Sequence, residues 1–536
     1  MTLQRRDLLA LLALPAATPA LAAADCSDTP GLPYLPPCQP WPQGLEGQRK
    51  ADMRDGRYLN PVLAGDRPDP SVLKDGDDYY LTHSSFEALP GLLIWHSRDL
   101  VNWRPLANAL LEPVGSVWAP DLCKHGGRYY LYLPVKAQPN DILVTWADRI
   151  EGPWSRPQPL GLHKHIDPTH VVGEDGQRWL FLSGGDRVKL SADGLRVVGA
   201  VEHVYDPWRY PEDWDVEAFS PEGPKMLFHG GWWHMVLAVG GTAGPPTGHM
   251  VIAARSRSLD GPWEQAPHNP LMRTRSSRER WWSRGHGSLV QGPQGDWWML
   301  YHGYENSFHT LGRQTLLAPA RFSADGWFHV DADDGQPLAK PRGGRAVPHG
   351  MPLSDDFAGN ALKTHWQFLS GGAGQMARVR VADGRLHLRA TGKDPGDSPP
   401  LGFIQGDPAF ELEVDVDFDE GVQIGLMMFY GPRLYAGMGA HAKGFRLLRY
   451  GQDLRAAARP AGIERHLQLK LKCVRHVLTL YSRLDASQPW AKFPVQMDVS
   501  GYHHNVAGGF ASLRPAIYAA GQGTARFSNL RYRALG

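Results

Sequence analysis

One short pattern is written five times between residues 59 and 345. A polar lead residue opens a brief apolar strand, a glycine turn follows, and an aromatic pair or its equivalent starts a second apolar strand. Asp69-Pro70-Ser71-Val72 leads to Asp75-Gly76 and Tyr79-Tyr80-Leu81. Asp121-Leu122 leads to Gly126-Gly127 and Tyr129-Tyr130-Leu131. Asp167-Pro168-Thr169 leads to Asp175-Gly176 and Trp179-Leu180-Phe181. Glu222-Gly223-Pro224 leads to Gly230-Gly231 and Trp232-Trp233, and His286-Gly287-Ser288-Leu289 leads to Gly295 and Trp297-Trp298. A unit of several short strands recurring about every 40–50 residues is the mark of a propeller blade. The chain is therefore expected to be all-β, with a five-bladed β-propeller over 59–345. Three copies close on a further turn that ends in Trp103, Trp154 or Trp263, and these rings are expected to pack between blades.

In a propeller the innermost strand of each blade lies nearest the axis. If each copy starts on that strand, Asp69, Asp121, Asp167, Glu222 and His286 ring one end of the central channel. Like charges raise one another's proton affinity, and burial disfavours ionisation. Apolar residues would serve a purely structural propeller better, so carboxylates gathered in a cleft point to function. Asp121 is assigned a structural or water-ordering role, and Asp66 a turn cap. Asp213, Asp215 and Glu217 precede Glu222 closely, but none of them begins a repeat.

Beyond residue 350 the pattern changes to strict alternation, as in Phe410-Glu411-Leu412-Glu413-Val414-Asp415-Val416 and His466-Leu467-Gln468-Leu469-Lys470-Leu471-Lys472. Period-two alternation indicates antiparallel strands with one wet face. Residues 353–536 are expected to form a separate β-sandwich of jelly-roll, concanavalin-like type, after a Pro- and Gly-rich linker at 340–352. At the other end, residues 1–24 pair Arg5-Arg6 with an apolar run and Ala22-Ala23-Ala24, which resembles a twin-arginine export signal. Residues 25–58 read as an extended leader. The expected location is therefore periplasmic or secreted. In such a compartment Cys26 and Cys38 could close a short loop. Cys123 and Cys473 read as buried thiols, and the four cysteines lack zinc-site spacing. Fifty-six basic residues balance fifty-five acidic ones. That balance argues against nucleic-acid binding and gives no polybasic membrane handle. No membrane insertion is expected. The 19 tryptophans suit sugar rings, whose C–H faces stack on indole, although most are expected to fill strand cores.

Cleaving a glycosidic bond usually takes two carboxyl groups, one protonated and one ionised. The ring of lead residues offers three on separate blades. Here the sequence resembles glycoside hydrolase family 43 of the β-xylosidase and α-L-arabinofuranosidase type. The resemblance rests on Asn60-Pro61-Val62-Leu63 with Asp66-Arg67-Pro68-Asp69-Pro70-Ser71, on Ile166-Asp167-Pro168 and on Ser220-Pro221-Glu222-Gly223-Pro224. Val117-Trp118-Ala119-Pro120-Asp121, Gly285-His286-Gly287-Ser288 and Leu311-Gly312-Arg313-Gln314-Thr315 also fit. It implies an inverting hydrolase acting on plant cell-wall oligosaccharides, with Asp69 as base, Glu222 as acid and Asp167 tuning and orienting Glu222. It also implies that the C-terminal sandwich helps close the pocket.

His286 is a candidate sugar contact and, by the same resemblance, a ligand to a central Ca²⁺ whose shell water completes; a lone imidazole is weak chemical evidence for calcium. Arg313, with its fork of donors, and Trp118 and Phe86, as pocket walls, complete the substrate-binding candidates. Ile166 stands where related xylosidases often carry an aromatic, and the loop Gly240–His249 is expected to shape the rim. Two other readings stand beside the hydrolase: a retaining five-bladed fructosidase, and a carbohydrate-binding propeller without catalysis.

Overall fold

The computed structural model describes residues 41–536 apart from 332, 371 and 459–464, and the side chains of 453–458 are also outside it. The expected export signal, Cys26 and Cys38 lie outside the described residues.

Five antiparallel sheets follow one another in chain order, each a meander from its first strand outward. Blade 1 runs Ser71–Asp75, Asp78–Thr82, Gly91–Ser97 and Arg104–Leu110. Blade 2 runs Asp121–His125, Arg128–Lys136, Asp141–Ala147 and Gln158–Pro159, and blade 3 runs Thr169–Val172, Arg178–Leu182, Asp186–Leu190 and Val197–His203. Blade 4 runs Glu222–His229, Trp232–Val239, Met250–Ser256 and Glu264–Gln265, and blade 5 runs Trp281–Gln291, Trp297–Glu305, Arg313–Phe322 and Phe328–Val330. The glycine pairs explain the tight first hairpins. Gly126 and Gly127 have φ of 58° and 81°, and Gly230 and Gly231 have 59° and 75°. Two successive residues at positive φ make the turn whose twist matches the strands it joins.

Apolar side chains fill every gap between neighbouring sheets. Ile94 of blade 1 shares a cluster with Leu131 of blade 2, Tyr132 with Leu180 of blade 3, Phe181 with Ile252 of blade 4, and Val251 with Leu316 of blade 5. Leu300 and Leu317 of blade 5 then share a core with Tyr79 and Leu81 of blade 1, so the ring closes. The recurring Trp does pack between blades: Trp263 sets its edge against Phe181 and Tyr205. The ends of the ring are joined by pairing of Arg57–Tyr58 with Leu338–Ala339. Asn60 adds a side-chain clamp, donating to Leu317 O and accepting from Leu317 N–H.

The C-terminal region is two seven-stranded antiparallel sheets. Alternation places Phe410, Leu412, Val414 and Val416 inside, as the pattern requires. The sandwich is tied to the propeller at several points. Leu89 bridges Phe368, and Leu513 N–H donates to Thr310 O at 2.8 Å. Asp66 is not a turn cap. It is buried and accepts from Ser512 N–H at 2.9 Å and from Arg514 at 3.0 Å, across the domain boundary. The described part of the leader is likewise built in. Arg49 pairs with Glu305 of blade 5 at 2.7 Å, while its N–H donates to Asp407 of the sandwich. Of the two thiols, Cys473 is buried but Cys123 is only half-buried. Among the described residues no helix is long and apolar enough to cross a membrane.

Candidate active site

Four of the five lead residues, Asp69, Asp167, Glu222 and His286, converge on one pocket, through an unusual backbone. Asp69, Asp167 and His286 have φ of 57°, 54° and 54°, and Gly223 beside Glu222 has 61°. A left-handed residue other than glycine costs about 1–3 kcal/mol and persists where the surroundings impose it. Asp69 and Asp167 stand just ahead of the first strands of their blades, and His286 lies within its own. Strand irregularity helps: the pairing register slips after Glu222 and on both sides of Gly285.

Asp69, Asp167, Glu222, His286, Arg313, Trp118 and Phe86 all line one pocket of about 260 Å³. Asp121 does not. It accepts from Lys225 Nζ at 2.7 Å, Thr169 Oγ1 at 3.2 Å and His170 N–H at 2.9 Å, so it fastens blade 2 to blades 3 and 4. Its role is structural, one of the two assigned to it.

The carboxylates sit in contrasting environments. Arg313 donates to Asp69 Oδ1 at 2.8 Å and to Oδ2 at 3.4 Å, and Ser84 Oγ donates to Oδ2 at 2.5 Å. His302 Nδ1 is 3.0 Å from Oδ1, and His286 Nδ1 is 3.6 Å from it. Burial alone would raise the proton affinity of Asp69. The Arg313 charge, with the hydrogen bonds the carboxylate accepts, outweighs burial and holds the carboxyl well below its ordinary range. Glu222 is the reverse. Burial, then the negative charges of Asp167 and Asp69, push it well above the ordinary value. About a fifth of its side chain still faces the pocket. Asp167 is pushed up to about 7 by burial and by Asp69, against the N–H of Gly223, which donates to its Oδ2 at 3.0 Å. Asp167 and Glu222 are thus both held toward their protonated forms, opposite an ionised Asp69.

His286 is buried and neutral, lowered to about 3 chiefly by burial. Asp167, Glu222 and His286 can bring one ligand atom each within 4.8 Å of one another. That set does not suit calcium, which takes six to eight oxygen ligands. Asp167 is engaged by a backbone donor, Glu222 favours its protonated form, and the deeper neighbours His249 and His302 present nitrogen. Arg313 lines the pocket; its two terminal nitrogens donate to Asp69, and its Nε is buried without a partner. Its place over Phe86 and Phe510, at 5.9 and 5.4 Å, makes it part of the wall.

The sequence pattern missed several residues. Phe510 and His504 reach the pocket from the sandwich. Phe510 stacks near Phe86 at 6.3 Å, sets its edge to Trp118 at 5.2 Å, and stacks on His504 at 4.4 Å. His302 and His249 stack beneath, 5.2 Å apart. His249 Nδ1–H donates to Gly240 O, which leaves the bare Nε2 3.8 Å from Glu222 Oε1. Gly241, Thr242 and Ala243 line the rim as expected. Gly244 exchanges two 3.2 Å hydrogen bonds with Asn505, so the sandwich holds that loop. Glu217 also reaches the pocket, where it accepts from Ala243 N–H at 3.0 Å.

A pocket on a propeller axis, holding one ionised and one protonated carboxyl group and walled in part by a second domain, is the architecture of a glycosidase. Residues 58–328 match the model of glycosyl hydrolases family 43, and residues 354–533 match that of the β-xylosidase C-terminal concanavalin A-like domain. The chain belongs to glycosyl hydrolase family 43. It is 32% identical over 318 residues to a xylan 1,3-β-xylosidase of Vibrio, an alignment covering 51% of this chain and 57% of that protein. It is 31% identical over 364 residues to a non-reducing-end α-L-arabinofuranosidase of Bacteroides ovatus, covering 62% and 65%. These alignments span less than two thirds of either relative. The crystal structure of a xylan β-1,4-xylosidase from Bacillus halodurans superimposes with a TM-score of 0.79 at 26% identity, covering 89% of this chain and 99% of that one.

Proposed function

We propose that the chain is an inverting exo-glycosidase that removes a terminal pentose from plant cell-wall oligosaccharides, as a β-xylosidase, an α-L-arabinofuranosidase or both. The observation that carries this reading is the opposed protonation of Asp69 and Glu222 across one pocket. Glu222 gives its proton to the departing glycosidic oxygen. Asp69 removes a proton from a water molecule that attacks the anomeric carbon from the other side, so the product has the opposite anomeric configuration. Asp167 keeps the Glu222 proton in place before reaction, because a second negative charge nearby raises its proton affinity. Exo action is supported by the α-L-arabinofuranosidase relative, whose name specifies the non-reducing end. Following the signal-like N-terminal segment, the enzyme would work in the periplasm or outside the cell.

The test is a panel of aryl pentosides and xylan- or arabinan-derived oligosaccharides, with the first-released anomer followed by NMR. Release of a single pentose of inverted configuration supports the reading. A product of retained configuration would fit the fructosidase-type alternative, and binding without any turnover would leave only a sugar-binding propeller.

A further inference from the structure

A second, larger concavity of about 790 Å³ opens beside the segment that leads into Glu222. Its volume falls within the range of small-molecule sites. Trp214 forms part of its lining, and the Arg273 guanidinium lies over that indole, 3.4 Å from the ring centroid. The acids around it are already engaged. Glu279 pairs with Arg284 and accepts the N–H groups of Arg275 and Ser276. Asp333 accepts from the Asn60 amide at 2.8 Å and from Gly335 N–H. Asp334 is exposed and accepts from Gln336 N–H. Arg280 faces Glu305 at 3.2 Å. Among the described residues none accepts a hydrogen bond from the guanidinium of Arg273 or of Arg275, and Arg273 Nε is buried without a partner. Burial, and then the Arg275 charge, pull the Arg273 proton affinity below its ordinary value. The Glu279 charge acts the other way without restoring it.

We propose that this groove is a second saccharide site that takes a carboxylate-bearing sugar, with Arg273, stacked on Trp214, as the fork that receives the carboxylate. A guanidinium offers paired donors whose spacing matches the two oxygens of a carboxylate. The indole beneath fixes the plane of that fork. Trp214 lines the groove and Glu217 the catalytic pocket, and three residues of chain span at most about 11 Å. The ligand proposed is therefore an oligosaccharide held at the pocket whose uronosyl branch extends to the groove. The identity of the ligand as a saccharide rests on the glycosidase reading; the anion-binding fork does not.

The test is calorimetry on the Glu222→Gln enzyme, which binds without turnover. The ligands are a glucuronosyl-branched xylo-oligosaccharide, its unbranched counterpart and inorganic phosphate. The branched ligand is expected to bind about tenfold more tightly, and Glu222→Gln/Arg273→Gln to lose that preference while its affinity for the unbranched ligand stays the same. Arg273→Lys, which keeps the charge without the fork, is expected to lose most of the preference and guards against misfolding of the glutamine variant. Arg273→Gln alone should hydrolyse an aryl pentoside at the normal rate. Equal affinities for the two oligosaccharides, or a preference that survives both Arg273 variants, would overturn the proposal. Displacement of the branched ligand by equimolar phosphate would reduce the groove to a simple anion site and overturn it too. Absence of pentoside hydrolysis in the wild type, with the preference intact, would instead overturn the catalytic reading.

Discussion

The two halves of the described body bury their residues by opposite rules. In the sandwich, Phe410, Leu412, Val414 and Val416 lie inside at 0–1% exposure, and their polar neighbours along the strand mostly face outward. At the propeller axis the buried set is Asp69, Asp167, His286, His302 and Arg313, all at 5% exposure or less. Hydrophobic burial alone selects the first arrangement. The second is costly unless each charge is paired and hydrogen-bonded, and the residual imbalance is what sets Asp69 and Glu222 apart. The sandwich interior maintains the fold, while the propeller axis sacrifices stability for chemistry.

The contrast breaks first at the axis. Glu222→Gln and Asp69→Asn are each expected to lower kcat by about 10²–10⁴-fold, the usual contribution of a general acid or base, with circular dichroism unchanged. Near-normal turnover of an oligosaccharide by either variant would remove that residue from its role. Leu412→Ala probes the other half. It should cost about 2–5 kcal/mol of stability, read by chemical denaturation, while kcat/KM well below the transition stays close to normal.

These two sets of residues were not equally legible in the sequence. The blades could be read because glycine turns and aromatic pairs recur, and the acids because each opens a repeat. The sandwich strands could be read because one wet face imposes alternation. Asp66 was misread: its partner Arg514 is 448 residues away, and an acid just before Arg67-Pro68 looks like a local turn. His302 sits inside an apolar strand, and His249 ends the rim loop just before one, so neither carries a signal of its own. Phe510 and His504 belong to no repeat, and only the docking of the sandwich brings them to the pocket.

That docking sharpens the comparison, because Phe510 is the point where the apolar half enters the polar one. Phe510→Ala is expected to reduce kcat/KM about tenfold or more, on the scale of about 1.5–3 kcal/mol for a buried phenyl ring, with little change in melting temperature. An unchanged kcat/KM would show that the sandwich does not shape the pocket. The smallest effect expected is one of stability. Glu222 has a raised folded-state pKa, so its favourable contribution is complete below the unfolded value near 4.5 and is lost as pH rises toward the folded value. Glu222→Gln does not titrate. Its melting temperature should therefore gain on that of the wild type as the pH is raised from 4.5 to 8, and a constant difference would contradict the upward shift.

The most direct measurement is the protonation of the two carboxyl groups themselves. Carboxyl-¹³C NMR at pH 6, with signals assigned by their loss in Glu222→Gln and Asp69→Asn, should find Glu222 protonated and Asp69 ionised in the free enzyme. An ionised Glu222 or a protonated Asp69 at that pH would contradict the account at its centre.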